Sequence, residues 1–563
     1  MPHALSRLRY LIPLGVLWPF IALCVTPHGA FLYRDMAVIP AMRLTETSLG
    51  LTDSPARATP QDALLGLVGG LQLSTWLMLL ILVISAIDAA RTIKHPLPLL
   101  LLFFNPFVFE RLLQGHWSLV MVAWLLPGII HNANTNASAN TQGQALNEST
   151  QTARNFWGLW RLWLCSFTPT GLLIGALAWL LFRPRVLIAV VALALVWLIP
   201  SLQNAAALHG NAPASIFASH NVLDVLSYGG IWNTELPTHE FLPYFRLVYI
   251  PILVITIFLA ARLAYRRTLT SRVPFILLGL GLVWTILPIL APDLWNTIIA
   301  TIPGAGLLRD SSKGSMLILL FSVLTLQDYF STHHSNGSLE DSFTSTVSAT
   351  ESITAPITAS RSVSNTSSTV LAGIAAAAIL VVSAGPIMSL GVLKPVNYSG
   401  SSFGAHETVF IPGQQLIVRL GADTSGTSRI VVDPRTKETN LLNDTSLRIS
   451  TSGSENSAGT TADSAVVVTD SRPRYEEAMR IYEAGADTGS VDTDALADLG
   501  ITLFINPETG ERTRIAEPTV KHFWDMGFMA LWPFVLWLVL GLCSIFGALL
   551  PARRTTQIQE SAE

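Results

Sequence analysis

Long apolar stretches recur along the chain, and they restrict its fold more than any other feature of the sequence. The hydrocarbon core of a bilayer takes about 20 apolar residues per helix. Backbone groups in hydrocarbon must find hydrogen-bond partners within the chain, and a helix supplies them. We therefore predict an all-α polytopic membrane protein. The clearest stretches are 9–26, 67–87, 186–202, 245–263, 272–290, 314–329, 369–391 and 526–549.

The composition agrees with a protein embedded in a lipid bilayer. Half of the 563 residues are hydrophobic and only 13% are charged, whereas soluble proteins carry about 25% charged residues. The net charge of −3 argues against a nucleic-acid partner, which would require a basic surface. The three cysteines lie in apolar stretches, and neither they nor the histidines have the spacing of a zinc site. We predict no metal-ligating residues.

Two of the apolar regions are interrupted. Residues 97–131 contain "NPFVFERLLQGHW", and residues 156–182 are broken by Thr-Pro-Thr-Gly. Proline removes a backbone donor and clashes with the preceding turn of a helix. Each region is therefore predicted to contain two segments or a short re-entrant piece. If both cross twice, the chain crosses the membrane about twelve times.

Basic residues indicate which ends of the helices face the cytoplasm, because Lys and Arg are enriched in cytoplasmic loops. If both interrupted regions cross twice, all the basic clusters lie on one side. We assign that side to the cytoplasm of a plasma-membrane protein, together with both chain termini. The clusters are Arg7 and Arg9, Arg91 and Lys94, Arg183 and Arg185, Arg262, Arg266, Arg267 and Arg272, and Arg553 and Arg554.

The polar regions divide the chain into a transmembrane core and an outer module. Residues 1–330 form the predicted transmembrane core of helices, with a low-complexity cytoplasmic loop at 132–153. Residues 331–368 are a second cytoplasmic stretch, rich in Ser and Thr. Both stretches contain too few apolar residues to fold and are predicted to be disordered. The remaining boundaries are a helix at 369–391, the outer module at 392–523, and the last helix with its cytoplasmic tail at 524–563.

Residues 392–523 are predicted to form a small extracytoplasmic α/β module. Short strands are expected in "QQLIVRLG", "RIVVDP", "SAVVVTD" and "ITLFINP", which are bounded by Gly, Pro and Asp. The segment "RYEEAMRIYEAG" predicts a helix that ends at Gly485, with Tyr475, Met479 and Tyr482 on one face. The segment "DALADLG" predicts a second short helix that leads into a strand.

Charged residues collect in the loops on the non-cytoplasmic side, contrary to the general distribution of Lys and Arg. A pocket with cations suits a phosphorylated lipid headgroup, since Arg binds a phosphate through two parallel hydrogen bonds and Lys contributes a compact positive charge. A carboxylate in the same pocket could act as general base on a hydroxyl group. The residues concerned are Arg34, Asp35, Arg57, Asp62, Glu110, Arg111, His116, His209, His220, Asp224, His239, Glu240, Arg309, Asp310 and Lys313, with Trp117 and Trp232 beside them.

The adjacent charged residues in these loops could instead have structural roles. Arg34 and Asp35 could pair with other loop charges and orient the loop. Glu110 and Arg111 are neighbours on a short helix, so they do not face each other, and each is expected to pair elsewhere.

Arg309 and Lys313 are four residues apart. They share one face if 307–316 is helical, and two like charges there repel unless an anion lies between them. The alternative is a pair of side chains that extend to the membrane surface.

The chain resembles the GT-C superfamily of membrane glycosyltransferases. The shared features are an inside N-terminus, a long first outer loop with an acid just after the first helix, and many hydrophobic helices. The acid stands in "YRDM", although the family often carries adjacent acids there. The segment "GAGLLRDSSKG" is similar to one in the arabinofuranosyltransferases of cell-envelope assembly. Over most of residues 10–330, "RDM", "TPTG" and "GGIWN" are similar to motifs of actinobacterial polytopic membrane proteins.

The resemblance implies transfer of a sugar from a polyprenyl-phosphate donor to a cell-envelope glycan or glycolipid on the outer face. It implies Asp35 as the catalytic base. The implied ligands of the donor phosphate are Arg309, Lys313 and Arg111. The supporting candidates are Arg34, Glu110, His116 and Trp232. A divalent metal is compatible with a carboxylate beside a phosphate, and the sequence does not require one.

A second hypothesis is a non-catalytic GT-C-like protein: a transporter, or a scaffold, for lipid-linked envelope intermediates. The two interrupted helical regions favour it, since broken helices form substrate sites in transporters. The lack of an internal repeat and of charged residues in the middle of a span argues against transport.

Overall fold

The structure is a computed structural model that describes most of the chain. The described residues are 9–27, 29–33, 35–38, 42–46, 48–51, 58–69, 73–141, 148–180, 186–203, 214–234, 236–266, 272–302, 304–347, 358–397, 408–410, 412, 441–442, 447–450, 465–468, 473–488, 490–506, 509–517 and 526–549.

Helices dominate the described residues. They are α1 Leu14–Val25, α2 Gln61–Leu67, α3 Leu73–Thr92, α4 Pro96–Phe103, α5 Pro106–Gln114, α6 Trp117–Thr141, α7 Glu148–Cys165, α8 Pro169–Leu180, α9 Leu187–Gln203, α10 Val222–Leu226, α11 Leu242–Tyr265, α12 Val273–Leu290, α13 Pro292–Thr301, α14 Ser315–Val347, α15 Thr358–Ser389, α16 Pro473–Thr488, α17 Thr493–Asp498 and α18 Phe528–Leu549. Single turns of 3₁₀ helix occur at Ala214–Phe217, Pro237–Phe241, Ala305–Leu308, Ser311–Gly314 and Leu390–Val392.

Seven helical segments among the described residues are long and apolar enough to cross a membrane. They are Leu73–Thr92, Pro96–Gln114, Pro237–Tyr265, Val273–Leu290, Ser311–Thr332, Val370–Val392 and Ala530–Leu549. Three shorter apolar helices accompany them: Leu14–Val25, Pro169–Leu180 and Leu187–Gln203. The prediction of a mostly helical membrane protein is confirmed at this level.

The segments differ in how far the rest of the bundle covers them. In Pro96–Gln114, 94% of the apolar window is buried inside the protein, and in Val370–Val392 only 17% is buried. The first segment therefore lies at the centre of the bundle, while the second presents most of its apolar surface outward. An exposed apolar helix of this kind requires a lipid environment.

The interruption in "NPFVFERLLQGHW" proves to be a capped break followed by a turn. Asn105 caps α5 by accepting a hydrogen bond from the Val108 N–H (3.0 Å), and its amide donates to the carbonyl oxygens of Leu101 (2.9 Å) and Leu102 (3.0 Å). One side chain thus satisfies backbone groups on both sides of the break. The chain reverses only after α5, at Gly115.

The interruption at Thr-Pro-Thr-Gly separates α7 from α8. The Thr168 hydroxyl accepts a hydrogen bond from the Gly171 N–H (2.9 Å) and caps α8. The two helices run side by side in opposite directions, since a Cβ on Gly158 would lie 2.1 Å from the Trp179 ring. The prediction of two segments in this region agrees with the structure.

Three short strands lie at the end of α1. They are β1 Gly29–Tyr33, β2 Met36–Val38 and β3 Val396–Asn397, in the order β2-β1-β3 with antiparallel pairing. The β1–β2 turn carries Asp35, where Tyr33 pairs with Met36. Arg34 lies outside the described residues.

The outer polar region contains further strands and two helices. The strands are β4 Val409–Phe410, β5 Leu441–Leu442, β6 Leu447–Ser450, β7 Ala465–Val468, β8 Leu503–Ile505 and β9 Arg512–Arg514. One sheet has the order β5-β4-β8-β9, and β6 pairs with β7. The predicted strands at "SAVVVTD" and "ITLFINP" correspond to β7 and β8. Those at "QQLIVRLG" and "RIVVDP" lie outside the described residues.

The two predicted helices of this region are present as α16 and α17. Tyr475, Met479 and Tyr482 pack on one core with Phe410 and Phe504, which agrees with the predicted apolar face. The helix α16 continues three residues past Gly485, the predicted end.

The two low-complexity stretches flank apolar helices. Helical backbone covers 132–141, 148–153, 331–347 and 358–368, and residues 142–147 and 348–357 lie outside the described part of the chain. A helix that is already nucleated in an apolar segment extends at one hydrogen bond per residue. The predicted disorder of these stretches stays a prediction.

Candidate functional site

A buried ion pair lies at the centre of the charged cluster. The Arg111 side chain on α5 is 1% exposed, and its guanidinium donates to both carboxylate oxygens of Asp310, at 2.7 and 3.0 Å. It also donates to the Ser312 hydroxyl (2.5 Å), which in turn donates to Asp310 Oδ1 (2.7 Å). This forked, charge-assisted geometry is the strongest form of carboxylate recognition by Arg.

The ionisation of Asp310 depends on these neighbours. Burial opposes the charged form of Asp310, but the charges of Arg111 and Lys313 and the hydrogen bonds from Arg111 outweigh burial. The pKa of Asp310 therefore lies well below its usual range. The pair is a fixed feature of the folded protein at neutral pH.

His116 extends the ion pair toward the surface. Its Nδ1 lies 3.0 Å from Arg111 Nη1, and its Nε2 lies 3.2 Å from Asp35 Oδ2. A guanidinium has no acceptor, so we assign Nδ1 as the acceptor and place the ring proton on Nε2, which donates to Asp35. Arg111 thus selects the histidine tautomer that can hold the Asp35 carboxylate.

Asp35 is the exposed end of this chain of hydrogen bonds. Its side chain is 60% exposed, compared with 26% for His116. Its Oδ2 also accepts a hydrogen bond from Gln114 Nε2 (2.9 Å), and its backbone N–H donates to the Gln114 carbonyl (3.1 Å). The carboxylate is therefore held by two donors and remains open to solvent.

Gly115 brings the β1–β2 turn onto the end of α5. Its φ is +100°, and a Cβ there would lie 2.2 Å from the Met36 nitrogen and 2.5 Å from the Asp35 carbonyl carbon. Only glycine combines this backbone conformation with this approach. The glycine in "QGHW" therefore places the Asp35 turn beside Gln114 and His116.

Asn233 orients the Gln114 side chain. Its Nδ2 donates to Gln114 Oε1 at 2.8 Å, which leaves Gln114 Nε2 to donate to Asp35. Asn233, the last residue of "GGIWN", is thereby connected to Asp35 through the Gln114 side chain. Amide orientation is assigned from these partners.

Glu110 also binds the "GGIWN" motif, through its backbone. Its two carboxylate oxygens accept hydrogen bonds from the backbone N–H groups of Gly230 (3.1 Å) and Ile231 (3.0 Å). A Cβ on Gly229 would lie 2.8 Å from Glu110 Oε1. Glu110 therefore positions the loop, and backbone amides rather than a cation are its partners here.

Arg309 and Lys313 flank Asp310 without sharing a helix. Two short 3₁₀ turns, Ala305–Leu308 and Ser311–Gly314, are separated at Asp310, whose backbone is extended (φ −80°, ψ 90°). The condition for a shared helical face, a helix over 307–316, is therefore not met, because the extended residue breaks the helical period. The two cations are still close enough to interact electrostatically.

The two cations have different surroundings. The exposed Arg309 guanidinium lies 4.6 Å from the centre of the Phe217 ring. Phe217 meets the half-buried Trp232 edge to face, with ring centres 5.3 Å apart. Lys313 is half-buried, and its Nζ lies 3.4 Å from the Thr170 hydroxyl of the Thr-Pro-Thr-Gly break.

The structure thus joins most of the residues selected from sequence. Asp35, His116 and Arg111 form one hydrogen-bonded chain that ends on Asp310, with Arg309 and Lys313 on either side. Sequence reasoning placed Asp310 in the charged cluster without giving it a role, and it did not select Gln114, Asn233 or Ser312. Their only signal was position, inside "QGHW", "GGIWN" and "RDSSK".

No group of three or more His, Cys, Asp or Glu side chains that could hold a metal ion occurs among the described residues. No protein-family model, no curated protein and no solved structure matches this chain.

Proposed function

We propose that the protein is a GT-C-like membrane glycosyltransferase with about twelve crossings. It moves a sugar from a polyprenyl-phosphate donor to a cell-envelope glycan or glycolipid on the outer face of the plasma membrane, with both chain termini in the cytoplasm. The observation that carries the proposal is the exposed Asp35 carboxylate, which His116 and Gln114 hold at the end of the buried Arg111–Asp310 pair.

In this proposal Asp35 is the general base. The acceptor hydroxyl oxygen bonds to the anomeric carbon of the sugar while the bond from that carbon to the phosphate oxygen breaks. The hydroxyl proton passes to Asp35, and the bonding electron pair leaves with the polyprenyl phosphate. Two donors, Gln114 Nε2 and His116 Nε2, position the Asp35 carboxylate, and geometry is the first requirement for a general base.

Arg309 and Lys313 are the proposed ligands of the donor phosphate. Asp310 is paired with Arg111, and the charges of Arg309, Asp310 and Arg111 all act on Lys313, so both cations belong to the same cluster. Charge-assisted hydrogen bonds from such cations stabilise both the bound phosphate and the negative charge that develops on it.

Arg111 takes a positioning role in the proposal. Its guanidinium already donates to Asp310, Ser312 and His116, and its side chain is 1% exposed. It therefore acts on the reaction through the tautomer of His116 and the position of Asp310, between the two phosphate ligands.

The second candidate is a transporter or scaffold for lipid-linked envelope intermediates. It is favoured by the helix breaks at Asn105 and at Thr168–Gly171, since broken helices line substrate sites in transporters. It differs from the first candidate in needing no base at Asp35.

Sugar transfer by membranes that contain the Asp35→Asn variant tests the two candidates. Membranes supplied with donor lipid should lose transfer to background while the protein remains at wild-type abundance. The matched control is Asp293→Asn, an exposed aspartate at the start of α13, which should retain activity. Full transfer by Asp35→Asn contradicts the transferase. A normal envelope glycolipid profile in a deletion strain complemented with Asp35→Asn would favour the second candidate.

A further inference from the structure

A groove between α3 and α7 lies at the other end of the bundle from Asp35. It encloses about 190 Å³ and is lined by Ile84, Ile87, Asp88, Arg91, Trp157 and Trp160. Its lining combines four apolar side chains with one carboxylate and one cation. The positive-inside rule assigns this end, with Arg91 and Lys94, to the cytoplasmic leaflet.

The apolar part of the groove continues along α3. Leu73, Trp76, Leu80 and Ile84 recur at helical spacing and are 41 to 53% exposed. With Ile87 and Arg91 they form one stripe, because residues three and four apart lie on the same helix face. An acyl chain that follows this stripe would end beside Arg91.

The single carboxylate in the lining is already neutralised. Asp88 accepts two hydrogen bonds from Arg161, both 2.8 Å long, and Arg161 also donates to the Gly128 carbonyl at 3.3 Å. The pair is nearly buried, with side-chain exposures of 12% for Arg161 and 6% for Asp88. Because Arg161 neutralises its charge, Asp88 repels an anion in the groove only weakly.

Cations outnumber carboxylates around the groove. Arg91 is exposed in the last turn of α3, and no carboxylate partner for its guanidinium occurs among the described residues. Lys94 donates to the Arg91 carbonyl, and the charges of Lys94, Arg154 and Arg161 all act on nearby His131. This corner of the protein thus carries a positive potential that an anionic headgroup would reduce.

We infer that this groove binds an anionic phospholipid of the surrounding bilayer. Its acyl chain lies along the α3 stripe, and its phosphate lies beside the exposed Arg91 guanidinium. A zwitterionic lipid offers the same phosphate, but its ammonium group meets the cations of this corner. The groove therefore prefers an anionic headgroup, and this preference does not depend on the proposed transferase activity.

The test compares phosphatidylglycerol with phosphatidylcholine on the purified full-length protein in detergent, by native mass spectrometry of lipid adducts. Wild type should retain phosphatidylglycerol in preference to phosphatidylcholine. Arg91→Gln should reduce that affinity about fivefold, since one basic residue near an anionic headgroup contributes about 1 kcal/mol.

The matched control is Arg262→Gln, which removes an exposed arginine from the last turn of α11, away from the groove. It should leave phosphatidylglycerol binding unchanged. Equal retention of the two lipids by wild type would overturn the inference. So would equal losses in Arg91→Gln and Arg262→Gln, because that result describes a general attraction of anionic lipid to surface charge.

Discussion

Removing the Asp310 carboxylate should destabilise the protein far more than removing another ion-paired aspartate of the same bundle. In Asp310→Asn, the Arg111 side chain stays buried (1% exposed) but loses its counter-ion. The new amide also places an NH₂ group where a carboxylate oxygen now accepts from Arg111, 2.7 Å away, so two donors would face each other. Breaking one side of a buried ion pair costs about 3–5 kcal/mol, because the remaining charge is buried without a counter-ion.

The matched control is Asp224→Asn. Asp224 also receives two hydrogen bonds from one arginine, Arg246, at 2.7 and 3.1 Å. The Arg246 side chain is 32% exposed, however, so its charge is less desolvated than that of Arg111. We expect a loss of about 1 kcal/mol, the upper end for solvent-accessible pairs.

The assay is the free energy of unfolding of the purified protein, measured by denaturant titration in mixed micelles. The double variant Arg111→Gln with Asp310→Asn should recover part of the loss, since it leaves no isolated charge. Equal losses for Asp310→Asn and Asp224→Asn would refute the reasoning, as would a double variant that is less stable than Asp310→Asn alone.

Two further predictions follow from the same cluster. Because the pKa of Asp310 is lowered in the folded protein, its contribution to stability should be complete above the unfolded value of about 3.9 and should disappear as the pH falls through the folded value. Unfolding titrations between neutral and acidic pH should show this loss in wild type and a smaller one in Asp310→Asn. Gly115→Ala should abolish activity and reduce stability, because its Cβ would lie 2.2 Å from the Met36 nitrogen. Gly304→Ala is the control: its φ is +83° but nothing lies within 4 Å, so equal effects of the two substitutions would show that backbone strain alone is responsible.

The helical membrane architecture could be predicted from the sequence because its cause is local. Transfer of an apolar stretch into lipid depends on the residues of that stretch and on their number. The prediction of a segment at 67–87 therefore corresponds to α3 Leu73–Thr92, and that at 272–290 to α12 Val273–Leu290. The break at Thr-Pro-Thr-Gly was visible for the same reason, since proline acts on the turn that precedes it.

The roles of the charged residues could not be read in the same way. Arg111 and Asp310 are 199 residues apart in the chain, and no local pattern indicates that they meet. Arg309 and Lys313 have helical spacing, but the extended backbone of Asp310, which carries the ion pair with Arg111, separates them into two turns. The rule that residues four apart share a helix face therefore fails at Asp310, the residue that pairs with the distant Arg111.

The sequence alone predicts apolar helices, charged residues near the ends of these helices, and Asp35 just after the first helix. The fold of the bundle was needed to show that Gln114 and His116 hold Asp35, that Arg111 is buried against Asp310, and that Glu110 binds backbone amides. The physical reason is that partition into lipid is a sum over neighbouring residues, whereas a hydrogen bond depends on the positions of two groups, which the packing of the whole bundle sets.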